Sequence, residues 1–99
     1  MKRTKSMIYK ETEESRELVT YATNIGTLYK SMITPVINSL RKKYKAGIYN
    51  KDRAIDIYYR IATEASKMYF NEFGYSFRVR DRYTAAVEME DYYREEICE

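Results

Sequence analysis

Residues 28–44 carry the clearest pattern of apolar and polar positions in the chain. Their apolar side chains form two neighbouring rows with a spacing of four: Leu28, Met32, Val36, Leu40 and Tyr44, and beside them Tyr29, Ile33 and Ile37. Both rows fall on one face of a helix, and the pattern passes Pro35 without a change of phase. It predicts one helix kinked near Ser31, where proline removes a donor and clashes with the carbonyl four residues earlier. The alternative is that Thr34 caps a new helix with Pro35 in its first position.

A second long apolar face predicts a helix between Asn50 and Gly74. Asn50 is a favoured N-cap, and Asp52 lies in the first turn, where the helix dipole favours an anion. Gly47 ends the preceding helix because glycine readily takes the left-handed position after a helix end, and Gly74 stops this one. The apolar face consists of Ala54, Ile57, Tyr58, Ile61, Ala62, Ala65, Met68 and Tyr69.

Two further helices have weaker patterns. Residues 9–23 form the first, with a break at 24–26, and Ser76 or Asp81 caps the last one. The face of the last helix consists of Val79, Tyr83, Ala86, Met89, Tyr93 and Ile97. Four helices with short connections predict an all-α fold, a small compact bundle. Residues 9–97 are expected to form its single domain, after a flexible N-terminal segment at 1–8.

The composition agrees with a small helical protein. The chain has 99 residues, of which 44% are hydrophobic, and glycine and proline together number four. No apolar run approaches the ~18 residues that a bilayer span requires, and no secretory signal opens the chain. The single cysteine, Cys98, has no internal partner. These features predict a cytoplasmic protein without membrane association.

The absence of histidine removes several kinds of chemistry. Histidine is the usual proton shuttle near neutral pH and the commonest transition-metal ligand. With one cysteine and no histidine, neither a structural zinc site nor a Ser–His nucleophile is expected. The three glycines stand too far apart to form a phosphate loop. Paired carboxylates such as Glu88 and Asp91 are typical of a solvated helix face. We expect no enzyme activity, no metal and no cofactor.

Charge is distributed unevenly although the net charge is only +3. Residues 83–99 hold six acidic residues against Arg94, whereas residues 18–51 hold six basic residues and no acidic one. The basic residues form two groups: Arg41, Lys42, Lys43, Lys45 and Lys51 around Tyr44, and Arg78, Arg80 and Arg82. If the bundle brings these groups together, they form a positive patch for phosphates or for an acidic protein surface. The alternative is ordinary surface charge near helix ends.

The chain contains twelve tyrosines, an unusually high number for its length. Six of them lie on the predicted apolar faces and are expected in the core: Tyr29, Tyr44, Tyr58, Tyr69, Tyr83 and Tyr93. Tyr59, Tyr75 and Tyr92 fall outside those faces. Exposed tyrosines are favoured anchors at protein interfaces and can also stack on bases. Tyr59 and Tyr75 therefore join Tyr44 and the two basic groups as candidate partner-binding residues.

Residues 28–74 combine a leucine–tyrosine start, a proline within an apolar helix, a Lys–x–Gly–x–Tyr turn and a helix ending near "EFG". The residues concerned are Leu28, Tyr29, Pro35, Lys45, Gly47, Tyr49, Glu72, Phe73 and Gly74. In these features the segment, about half the chain, resembles a family of short accessory proteins encoded by bacteriophages. The resemblance implies no catalytic residues. It implies a protein that binds host machinery, a class in which inhibitors of bacterial defence, including anti-CRISPR proteins, are prominent.

The leading hypothesis from the sequence is a phage protein that inhibits a bacterial defence effector by stoichiometric binding and occlusion. A second is direct nucleic-acid binding by residues 41–51 and 78–82, although a dedicated nucleic-acid domain is usually more basic. A third is capture of a nucleotide signal, with arginines on the phosphate and a tyrosine on the base. The last is self-association through tyrosines.

Overall fold

Residues 12–98 fold into four helices joined by short connections. In the computed structural model, which describes residues 12–98, α1 spans Glu13–Asn24, α2 spans 26–45, α3 spans Lys51–Phe73 and α4 spans Val79–Cys98. Within those residues there is no strand, so the predicted all-α bundle is confirmed. The predicted flexible segment 1–8 lies outside the described residues.

The helix ends follow from local sequence. Thr12 caps α1 by accepting a 3.0 Å hydrogen bond from the Ser15 amide, while the Ser15 hydroxyl accepts from the Thr12 amide at 2.9 Å. Asn50 caps α3 by accepting from the amide of Arg53 at 3.0 Å. Gly47 and Gly74 have φ angles of 76° and 73°. This left-handed backbone favours glycine, so both predicted helix stops are confirmed.

Helix α2 accommodates Pro35 through one turn of π-helix. The turn covers Tyr29–Ile33, and the amide of Thr34 donates to the carbonyl of Tyr29, five residues earlier. Ile33 and Thr34 keep helical backbone angles, and no described side chain caps the segment that follows. The continuous helix is therefore confirmed, and a new helix capped by Thr34 is wrong. Because Pro35 has no N–H to donate, an irregular turn just before it is expected.

The π turn shifts the buried face of α2 by one residue. The buried positions are Leu28, Ile33, Ile37 and Leu40. Met32 and Val36, which share the regular four-residue row with Leu28, are only partly buried against the core. Ile33 and Ile37 keep the predicted phase across Pro35, but the predicted row from Leu28 through Met32 to Val36 is wrong, because the π turn inserts one extra residue before Pro35.

Helix α4 lies at the centre of the bundle and contacts the other three helices. Its closest neighbours pack on small side chains, since Thr84, Ala85 and Ala86 are all buried. Val79, predicted for the apolar face, is 53% exposed. The predicted face of α4 is therefore only partly right, because a central helix is covered on more than one side.

Buried polar groups of α4 find partners on other elements. Glu90 is fully buried and accepts a hydrogen bond of 2.7 Å from the Tyr49 hydroxyl, and its carboxylate pairs with Arg94 one turn later. Ser15 of α1, also fully buried, donates to Glu88 at 2.6 Å. Glu88 therefore holds α1 against α4, whereas Asp91 lies on the solvated face as predicted.

Two tyrosines in or beside the core, Tyr58 and Tyr49, differ in hydrogen bonding. Tyr58 is fully buried and stacks on Tyr93 with ring centroids 6.0 Å apart. Within residues 12–98 its hydroxyl has no hydrogen-bond partner, and burial raises its pKa far above the ordinary value, so it remains neutral. Tyr49, partly buried, donates to Glu90.

Matched Tyr→Phe substitutions should therefore have opposite effects. Tyr58→Phe removes a desolvated hydroxyl that makes no bond, so we expect stability to rise by up to ~1–2 kcal/mol. Tyr49→Phe removes a donor from the buried Glu90 carboxylate and should cost about 1–3 kcal/mol. Urea unfolding followed by circular dichroism measures both. Equal destabilisation by the two substitutions would contradict this assignment of partners.

The helices differ from membrane spans in their charge. Of the helices formed by residues 12–98, none combines the length and the apolar content that crossing a membrane requires.

Candidate binding surfaces

The two predicted basic groups lie at opposite ends of α4. Arg41 donates through Nε and Nη2 to the carbonyl of Glu96, at 3.3 and 3.1 Å, which places residues 41–45 beside the C-terminal end of that helix. Arg80 lies in its first turn. With a rise of ~1.5 Å per residue, Arg80 and Glu96 are separated by about 24 Å along α4. The two groups therefore do not form one positive patch.

The first basic group remains at the surface. Lys42, Lys43 and Lys45 are exposed in the last turn of α2, and Lys51 is half-buried at the start of α3. Tyr44 is 44% exposed and meets Tyr49 edge-on at 6.4 Å, so its predicted place in the core is wrong. Tyr29, the other tyrosine of that face, is also exposed. The last turn of α2 extends past the core, so its apolar face is exposed there.

The second basic group has contacts within the protein. Arg78 is exposed, and its Nε lies 3.4 Å from the buried carboxylate of Asp81. The same carboxylate accepts from the Arg78 amide, which ties the start of α4 together. Arg80 is exposed, and Arg82 lies with its guanidinium carbon 5.6 Å from the centre of the Tyr59 ring.

Tyr59 is not the exposed anchor that its position predicts. Its ring is half-buried and stacks on Tyr83 of α4 at 4.0 Å, with the planes 18° apart. Arg82 covers the same ring. Most of the ring surface of Tyr59 is therefore used within the bundle, and the prediction for this residue is wrong. Tyr75 and Tyr92 are exposed as predicted, by 47% and 68%.

Tyr75 belongs to a group of five aromatic side chains at one end of the bundle. This aromatic cluster consists of Tyr21, Tyr69, Phe73, Tyr75 and Phe77. Tyr69 lies at its centre, with its ring 4.9 Å from Tyr21, 4.6 Å from Phe73 and 4.9 Å from Phe77. Tyr75 meets Phe77 edge-on at 5.0 Å. Edge-to-face pairs such as Tyr21–Tyr69 and Tyr69–Phe77 attract each other beyond simple burial, so these contacts stabilise the cluster.

The end of α3 explains why these rings gather at the surface. Phe73 is the last residue of α3, and the left-handed Gly74 turns the chain back toward α4. Phe77 is buried beneath the turn, whereas Phe73 and Tyr75 remain 59% and 47% exposed. The cluster is therefore anchored in the core on one side and open to solvent on the other.

Carboxylates of α1 and α3 border the aromatic cluster. The Tyr21 hydroxyl donates to Glu72 at 2.8 Å, and the Tyr69 hydroxyl donates to Glu17 at 3.2 Å. Partial burial, together with these hydrogen bonds, raises the pKa of both tyrosines. Both hydroxyls therefore stay protonated and keep the carboxylates in place along the edge of the rings.

A groove runs between α1 and the aromatic cluster. It has a volume of about 290 Å³ and is lined by Glu13, Glu14, Glu17, Tyr69, Tyr75 and Phe77. None of the described residues that line it is basic. Ring faces next to carboxylates attract guanidinium and ammonium groups, through cation–π contacts and through ion pairs. The groove therefore has the chemistry of a site for a cationic side chain.

Sequence reasoning missed this surface because it weighted basic residues. One signal was available: residues 69–77, "YFNEFGYSF", contain five aromatic side chains. Their meeting with the glutamates of α1 depends on how α1 packs on α3, which periodicity does not specify. Of the predicted binding residues, Tyr75 alone belongs to the aromatic cluster.

The chain has no match among known proteins that would assign a function. No family model, no curated protein and no solved structure matches it. Within residues 12–98, no group of three or more carboxylate or thiol side chains is arranged to hold a metal ion.

Proposed function

We propose that this protein acts by stoichiometric binding to a partner protein, and that the aromatic cluster with its acidic border is the binding surface. The observation that carries the proposal is the exposure of Phe73 and Tyr75 within a continuous group of rings. Monomeric proteins rarely expose large connected apolar patches, and aromatic residues are enriched at interface centres. Tyrosine and phenylalanine bury much area for little lost side-chain entropy.

Charge selects the kind of partner. Glu13, Glu14 and Glu17 line the groove beside the rings, and none of the described lining residues offsets their charge. A segment with arginine or lysine can place its cation against the carboxylates and its aliphatic stem along the rings. A second copy of this chain, docked through the same face, would place glutamates against glutamates. The occupant we propose is therefore a basic segment of a different protein.

The resemblance of residues 28–74 to phage accessory proteins supports a bacterial defence protein as this partner. Many effectors of that kind carry basic surfaces because they handle nucleic acid, whose phosphates require positive charge. Covering such a surface would inhibit the effector without any catalytic step. The proposed effect is thus inhibition by occlusion, of the anti-CRISPR type.

Direct nucleic-acid binding has less support. Arg41 is engaged with the backbone of α4, Arg78 pairs with Asp81, and the two basic groups lie far apart. A nucleic-acid surface usually combines many cations along one continuous track. The exposed lysines 42, 43 and 45 alone make a short track.

Removing the exposed rings should abolish most partner binding. We expect Phe73→Ser combined with Tyr75→Ser to weaken affinity at least ~30-fold, the effect of losing about 2 kcal/mol at an interface hot spot. Tyr92→Ser, at an exposed tyrosine on α4, is the control and should leave affinity unchanged. Partners are captured from nuclease-treated bacterial lysate, identified by mass spectrometry, purified and titrated with each variant.

The acidic border is tested separately with variants of equal net charge. Glu13→Gln/Glu17→Gln should weaken binding of the same partner, whereas Glu95→Gln/Glu96→Gln, at exposed positions of α4, should not.

A partner retained by the Phe73→Ser/Tyr75→Ser variant but lost with Tyr92→Ser would refute the surface. Capture that disappears with nuclease in every variant would favour nucleic acid instead.

A further inference from the structure

A second pocket lies next to the aromatic cluster and has the opposite chemistry. It has a volume of about 540 Å³ and shares Phe77 with the acidic groove. Its other lining residues supply two cations, three hydroxyls, one amide and one exposed ring: Lys67, Arg82, Thr63, Ser66, Ser76, Asn71 and Phe70. None of the described residues that line it is a carboxylate. Its size lies within the range of roughly 300–1,000 Å³ that is usual for small-molecule sites.

Two polar atoms of this pocket are buried without a partner. Within residues 12–98, neither Thr63 Oγ1 nor Arg82 Nε makes a hydrogen bond. Buried polar groups in native proteins are nearly always satisfied, by the protein, by water or by a ligand. Thr63 and Arg82 both line this pocket, so a rotation of either side chain would bring its unpartnered atom toward a bound group.

Arg82 is held in place for such a role. Its guanidinium lies over the Tyr59 ring, which in turn stacks on Tyr83. A guanidinium supported by a stacked ring has lost its conformational freedom before a ligand arrives, which lowers the cost of binding. Among residues 12–98, Lys67 pairs only with Glu64, at 3.3 Å and exposed to solvent. Pairs of that kind contribute little, so Lys67 can turn toward a bound anion.

We propose that this pocket binds a small phosphorylated ligand with a flat ring, of the mononucleotide class. Arg82 and Lys67 hold the phosphoryl group, assisted by the hydroxyls of Thr63, Ser66 and Ser76. The ring packs on Phe70, which is 50% exposed at the pocket edge. Phosphoryl oxygens accept several charge-assisted hydrogen bonds at once, which matches a pocket rich in donors and free of lining carboxylates. The site adjoins the protein-binding surface through Phe77 but uses different polar residues, and it gives specific residues to the nucleotide alternative.

Calorimetric titration of the full chain tests this assignment. The probes are the four ribonucleoside 5′-monophosphates, inorganic phosphate and adenosine. We expect at least one nucleotide to bind more tightly than either inorganic phosphate or adenosine. In NMR spectra, its addition should move the amide chemical shifts of Thr63, Ser66 and Ser76. The proposal would be overturned if no nucleotide bound at about 1 mM, since a dissociation constant of that size corresponds to a binding free energy of only about 4 kcal/mol.

Variants separate the pocket from general electrostatic attraction. Arg82→Gln should weaken nucleotide binding about tenfold or more, because it removes charge-assisted hydrogen bonds. Arg80→Gln, an exposed arginine two residues away on α4, should leave it unchanged. Equal weakening by both would overturn the site.

Phe70→Leu provides a second test that does not depend on the folding of Arg82 variants. It should weaken nucleotide binding several-fold while leaving the weak binding of inorganic phosphate as it is, since stacking on a ring contributes to base binding alone. A nucleotide affinity that is unchanged in Phe70→Leu would overturn the placement of the ring.

Discussion

Replacing Arg94 with methionine should destabilise the protein by about 3–5 kcal/mol, because the substitution leaves a buried carboxylate without its cation. Glu90 is fully buried, and its partners are Arg94 on the same helix and the Tyr49 hydroxyl. The hydrogen bond to Glu90, despite an opposing effect of burial, raises the pKa of Arg94, which therefore stays charged at all accessible pH values. A loss of this size is a large share of the roughly 5–15 kcal/mol that keeps a domain folded.

Neutralising the partner carboxylate, Glu90, should cost much less than removing Arg94. Arg94 retains 38% of its side-chain exposure and also pairs with the exposed Asp91, so it can be hydrated when Glu90 is neutralised. We expect Glu90→Gln to cost about 1–2 kcal/mol, since the amide oxygen still accepts a hydrogen bond. In the double variant Glu90→Met/Arg94→Met, most of the loss should be recovered because no buried charge remains.

Chemical denaturation of the natural protein and of these three variants measures each cost. Each kcal/mol of destabilisation should also lower the melting temperature by about 4–8 °C for a domain of this size. If Arg94→Met and Glu90→Gln cost the same, the pair is not held in a buried environment. If the double variant is the least stable, the network is stabilising in its own right.

Truncation of Ile33 should cost about 2–5 kcal/mol, whereas truncation of its neighbour Met32 should cost about 1 kcal/mol or less. Ile33 is fully buried, while Met32 is only partly covered by the core. A regular helix would place both residues on one apolar face, since Met32 is spaced by four from Leu28 and Ile33 by four from Tyr29, and their truncations would then cost similar amounts. Ile33→Ala creates a cavity at the π turn, and Met32→Ala mainly removes surface packing.

The comparison of these two alanine variants therefore tests the π turn itself. Both residues lie in the same turn and lose a similar number of atoms, so they serve as controls for each other. Pro35→Ala adds a third measurement, because it restores the backbone donor whose absence accompanies the π turn. The difference in cost between Met32→Ala and Ile33→Ala should be measured again in that background. Equal costs for the two truncations in the natural background would contradict the shifted buried face.

Local chemistry in the sequence determined the number of helices and where most of them end. Asn50 caps α3, and Gly47 and Gly74 take the left-handed angles that stop α2 and α3. These outcomes depend on a few residues adjacent in the chain, whose backbone preferences act whatever surrounds them. The long apolar face of α3 was also predictable from the sequence, since Tyr58, Ile61 and Ala65 are buried as predicted.

Tertiary structure decided the burial of polar and aromatic residues. In the acidic α4, Glu90 is in the core because Tyr49 and Arg94 satisfy its charge. Tyr59 is half-buried because Tyr83 provides a stacking partner. Tyr44 is exposed because the end of α2 extends past the core. The side chain of a tyrosine or glutamate is compatible with either environment. The choice then depends on a partner distant in sequence.

The candidate surfaces depend on the same long-range packing. Five aromatic residues within 69–77 are visible in the sequence, but the glutamates beside them come from α1, and Arg82 reaches its pocket from α4. The sequence by itself determined the four helices of residues 12–98 and where most of them end, and it excluded chemistry that needs histidine. The packing of those helices alone decided that the two basic groups lie apart and that rings and carboxylates meet. Helix ends are set by neighbours in the chain, whereas a surface is set by which helix faces come together.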